Sequence, residues 1–168
     1  MTNARLSSFV SICLLLVPFA AWIPVALGQS QSCDLLPIAK ISEIIGRPAH
    51  AQPASAGTHD SEPKPCVYRD STEQTEVWLF PNDSEADART RLQGEVEHRS
   101  GRESPTHLLG IGTEARLIPS ADRKENAVVA RYDTTVLVVS GRLDQASLVA
   151  LARSVIAALD AQPHRTHP

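Results

Sequence analysis

Two apolar runs separated by two polar residues constrain this chain more than anything else in it. Ala127-Val128-Val129-Ala130-Arg131-Tyr132 and Thr135-Val136-Leu137-Val138-Val139-Ser140 flank Asp133-Thr134. Runs this rich in β-branched residues, closed by a two-residue reversal, form an antiparallel hairpin. Side chains alternate between the faces of a strand, so Val136 to Val139 makes both faces apolar. Val77-Trp78-Leu79-Phe80 repeats the pattern. Either helices cover both faces of such a sheet, or one face stays open and meets a partner or an apolar ligand. Trp78 and Phe80 are then the candidate contacts. Three amphipathic helices can be divided between two faces, so internal burial is the expectation.

Those helices are legible in the spacing. Ile38, Ile41 and Ile45 fall on one face of a segment entered through Pro37 and stopped by Gly46 and Pro48. Pro81-Asn82-Asp83-Ser84 offers an N-cap to a helix from about Glu85 to His98, with Ala88, Leu92 and Val96 four apart. Asp144 caps a third, from Gln145 to about Leu159, with a stripe of Leu148, Leu151, Ala152, Val155 and Leu159. Cys66 to Arg69 and Thr75 to Phe80 form a second hairpin around a polar turn, and Arg116-Leu117-Ile118 adds a short strand. Arg47 to Pro65 carries four prolines and no periodicity, and reads as an irregular surface loop. The order is α-β-β-α-β-β-β-α. This is an α+β fold with an antiparallel sheet of about five strands and three helices. One domain is expected over residues 29–161, followed by a disordered tail at 162–168.

The N-terminus points to export. Arg5 precedes an apolar run from Phe9 to Leu27, and Ala26 and Gly28 place small residues at a cleavage site before polar Gln29. That is the pattern of a secretory signal over residues 1–28, giving a periplasmic or secreted protein. The alternative is an uncleaved anchor, and the membrane enters the reading only through that segment. Cleavage after Gly28 leaves 140 residues with 15 basic and 19 acidic side chains, a charge of −4, and four aromatics. A mildly acidic chain has no electrostatic footprint for nucleic acid. Sparse aromatics argue against a base-stacking platform.

Cys33 and Cys66 remain after cleavage, and in an oxidising compartment they read as a disulfide, with two free thiols as the alternative. Other chemistry is thin. Gly110-x-Gly112 lacks the third glycine and following helix of a dinucleotide loop, and serves a sharp turn instead. His164-x-x-His167 lies in the tail, and His59-Asp60 with Glu62 in the proline-rich loop, so neither makes a structured metal site. No metal or other cofactor is expected. His98 and His107 have no marked serine beside them in sequence, and Asp83, Glu85 and Asp87 fit a helix N-terminus.

Three motifs carry a resemblance. A cysteine precedes a Leu-Leu helix (Cys33-Asp34-Leu35-Leu36), a second precedes an aromatic (Cys66-Val67-Tyr68), and Gly110-Ile111-Gly112-Thr113-Glu114-Ala115 precedes the closing strands and helix. In this the chain resembles small exported bacterial lipoproteins grouped as the domain of unknown function 3558, over most of residues 33–160. Thr113 stands where that group has an acidic residue, and the lipidation cysteine is missing, so membrane anchoring does not carry over. The resemblance implies an exported α+β domain with a Cys33–Cys66 bridge, and supplies no catalytic residues. The expected function is a non-enzymatic binding or interaction domain, taking an unidentified protein or small apolar ligand. The alternatives are a small hydrolase with a scattered site, and a protein-level inhibitor or envelope-assembly factor acting through the loop 47–65.

Overall fold

The computed structural model describes residues 31–53, 63–101, 103–120 and 125–162. The expected signal at 1–28 lies outside them, as do His59, Asp60, Glu62, His164 and His167. A single-turn α1 (Gln31–Asp34) and α2 (Ile38–Ile45) precede strands β1 (His50–Pro53), β2 (Cys66–Arg69) and β3 (Gln74–Pro81). Helix α3 (Glu85–Ser100) leads to β4 (Thr106–Leu108), β5 (Glu114–Ile118), β6 (Asn126–Tyr132), β7 (Thr135–Gly141) and α4 (Gln145–Asp160).

The strands form one antiparallel sheet in the order β1-β2-β3-β7-β6-β5-β4. The α+β class stands, but the sheet has seven strands rather than about five. Both additions are edges. β1 lies inside the segment expected to be an irregular loop, and pairs with β2 from His50↔Arg69 to Pro53↔Cys66. Its sequence has no apolar alternation. Pairing with β2 holds it, and the edge position tolerates Pro53. β4 is three largely exposed residues on β5. Short edges of this kind leave little propensity signal.

Local chemistry sets the helix ends. Ser84 Oγ accepts from the Asp87 N–H at 3.1 Å, and an Asp144 carboxylate oxygen from the Ser147 N–H at 3.0 Å. Gly46 closes α2 in the left-handed region (φ 72°), with its N–H and that of Arg47 returning to Glu43 and Ser42 carbonyls. Ile38, expected on the buried face, is 40 % exposed. α2 packs on α4 through Ile41, Ile44 and Ile45, which leaves its first residue outside the contact.

Both faces of the central strands are covered. Val136 to Val139 are each fully buried. On one side Val77, Val128, Ala130, Leu137 and Val139 meet Ile41 of α2 and Leu148, Leu151, Ala152 and Val155 of α4. On the other, Ile118, Ala127, Val129, Val136, Val138 and Phe80 meet Ala88 and Leu92 of α3. Each such Val or Leu contributes about 1.5–3 kcal/mol on burial. The chain leaves β3 at mid-sheet, and α3 runs over β7, β6 and β5 to deliver β4 to the far edge. Among the described residues no helix lies over β1 and β2 on that face.

Candidate functional site

The flank of α3 therefore meets β3 along an open margin, and Trp78 and Phe80 stand there. They are two residues apart on β3, so they share a face. Their rings stack with centroids 5.8 Å apart and 4° between planes. Arg91 of α3 places its guanidinium carbon 4.3 Å from the centre of the Phe80 ring. Phe80 is 6 % exposed, whereas Trp78 is only partly buried. The Trp78 indole N–H donates to Glu76 Oε2 at 3.0 Å, which fixes the ring's orientation. A cation over an aromatic face is worth about 0.5–1 kcal/mol near the surface. The result is an ordered ladder of Arg91, Phe80 and Trp78.

A cleft of about 490 Å³ opens beside this ladder, lined by Asn82, Asp87, Thr90, Arg91, Gly94 and Glu95. Asn82 donates its amide to the carbonyls of Phe80 (2.8 Å) and Thr134 (3.0 Å), pinning the end of β3 to the β6–β7 turn. A Cβ added at Gly94 would meet nothing within 4 Å. A mid-helix glycine costs about 1 kcal/mol relative to alanine, and no packing contact explains this one. Its effect is to keep that wall of the cleft low.

Cys33 and Cys66 form a disulfide, with sulfurs 1.99 Å apart, tying α1 to β2. Gly110 and Gly112 both have positive φ (71° and 56°), and a Cβ on Gly112 would lie 2.3 Å from the Arg131 carbonyl oxygen. The tight turn these glycines were expected to serve is therefore present, docked on β6 by the Thr113 N–H to Arg131 O bond at 2.8 Å. Among the described residues no three His, Cys, Asp or Glu side chains converge as metal ligands. His98 and buried Ser140 line one small cleft of about 220 Å³ without hydrogen bonding to each other. Glu95 pairs with Arg99 at 3.2 Å, and Glu97 accepts from Gln93 at 2.8 Å, so both acids have structural partners.

Sequence reasoning missed Arg91, because nothing in a charged helix marks the arginine that reaches an aromatic ring. It also missed Arg131, which is 4 % exposed on the α3 side of the sheet. Its Nη1 donates to the Asp133 carbonyl at 3.3 Å and lies 3.8 Å from Glu85. Strand alternation from Val129 was the available signal. No protein-family model matches the chain, and no curated protein shows significant similarity to it.

Proposed function

We propose that this chain is an exported, non-enzymatic binding domain that takes a partner protein or a small apolar ligand at the margin between α3 and β3. The observation that carries this reading is the Arg91–Phe80–Trp78 ladder beside a cleft whose wall is kept low by Gly94. Tryptophan and arginine, here the partly exposed Trp78 and Arg91 on either side of buried Phe80, are among the residue types that dominate binding energy at interfaces. Export is supported by the N-terminal pattern and by a disulfide, which persists in oxidising compartments. Kinship with the domain of unknown function 3558 group belongs to the same reading. Its motif cysteines are bonded here and its Gly-x-Gly segment is a required turn.

A photo-crosslinking amino acid at position 78, irradiated in living cells, tests the site. A discrete adduct from position 78, with none from exposed Glu97 on the same chain, is the expected result. Identical patterns at both positions would reject the α3–β3 margin as the binding surface. The inhibitor or assembly-factor reading rests on β1, an edge strand inside the 47–65 segment, because edges present backbone groups for strand addition.

A further inference from the structure

At the opposite end of β3, roughly 20 Å from Phe80 by strand rise, a further cleft of about 530 Å³ lies at the end of the sheet. We propose that it is an oxyanion site, holding a carboxylate or phosphate group between Arg69 and Arg142. The register brings these residues together. Arg69 faces Gln74, and the last pairs of the neighbouring ladders are Thr75↔Gly141 and Asn126↔Gly141. Gln74, Arg142 and Glu125 each sit one residue beyond those pairs, so Arg69, Gln74, Arg142 and Glu125 follow one another across the sheet's end. Two strand spacings separate the two arginines, about 10 Å at the backbone. Long side chains close that span onto one anion.

Arg69 and Arg142 differ from Asp70 and Glu73 of the same cleft in their partners. Asp70 accepts the Thr72 and Glu73 N–H groups at 2.7 and 2.9 Å and pairs with Arg47 at 3.0 Å, and Arg47 also pairs with Glu73. The turn's acids are thereby occupied from outside the cleft. Arg69 and Arg142 are exposed and meet no carboxylate among the described residues. Guanidinium forks bind carboxylate and phosphate oxygens in pairs. Glu125, exposed in the same cleft, opposes an anion and sets the affinity low.

The test is titration of the protein, as purified from cells, with inorganic phosphate and separately with acetate at constant ionic strength, followed by amide chemical shifts. Saturable binding of either anion, weakened about tenfold in Arg69→Gln and in Arg142→Gln and tightened in Glu125→Gln, is expected. Saturation by phosphate alone or by acetate alone identifies the source. Absence of saturation, or binding unchanged in both arginine variants, overturns the proposal. Arg69→Lys and Arg142→Lys keep the charge but lose the fork, and serve if a glutamine variant is unstable. Gln74 of this cleft lies about 13 Å from Trp78 along β3, and Glu76 between them accepts from both side chains. The titration reads Arg69 and Arg142 and the crosslink reads position 78, so each proposal fails on its own result.

Discussion

Tyr68 and Tyr132 are the chain's two tyrosines, and their surroundings differ. Tyr68 is 3 % exposed, and burial pushes its phenol up to about 12. Tyr132 donates its O–H to Asp160 at 2.7 Å, which raises it at the surface. A phenol raised in the folded state contributes stability that is fully present below its ordinary value near 10 and lost as pH rises through the folded value. For Tyr68 the loss between pH 10 and 12 amounts to about 2–3 kcal/mol. Urea denaturation at pH 9 and pH 11.5 should show that loss in the parent and a much smaller one in Tyr68→Phe. Asp70 works in the other direction. Hydrogen bonds from the Thr72 and Glu73 N–H groups, with Arg47 alongside, hold its carboxyl below the usual range. Its contribution is therefore present above about pH 4 and fades as pH falls further.

Two glycines separate, at the element scale, what a fold requires from what a surface uses. Gly112 is left-handed and abuts the Arg131 carbonyl, so Gly112→Ala is expected to cost about 2 kcal/mol or more. Gly94→Ala has open space on α3 and should raise stability by about 0.5–1 kcal/mol. Thermal unfolding of the two variants checks both signs, and a destabilised Gly94→Ala would contradict the open wall. The helices and the central strands were readable from the sequence because Leu148 to Val155 and Val136 to Val139 carry their own periodicity. β1 and β4 were not, because His50-Ala51-Gln52-Pro53 and Thr106-His107-Leu108 are ordered by their neighbours. Trp78 and Phe80 could be named as candidates from alternation alone. Arg91, Gly94 and the arginines at the sheet end could not, since their meaning depends on which elements lie side by side.

For the molecule as a whole, the Cys33–Cys66 bond joins residues 33 positions apart. A loop of that length is worth about 3–4 kcal/mol of unfolded-state entropy. The double variant Cys33→Ser, Cys66→Ser should lose about 2–4 kcal/mol in urea titration while keeping the sheet's far-UV signal. Every neighbouring pair in the sheet joins strands consecutive in the chain, except β3 with β7. Pro81 lies opposite Thr135 there, more than fifty residues later in sequence. The molecule is thus two locally wound ribbons sewn along one seam, and closing that seam carries the largest loop-closure entropy in the sheet. Truncating Leu79 or Leu137 at the seam should slow refolding in stopped-flow mixing, whereas truncating Leu117 in the β5–β6 ribbon should mainly quicken unfolding. The speed with which this chain becomes one body is set by the meeting of its halves.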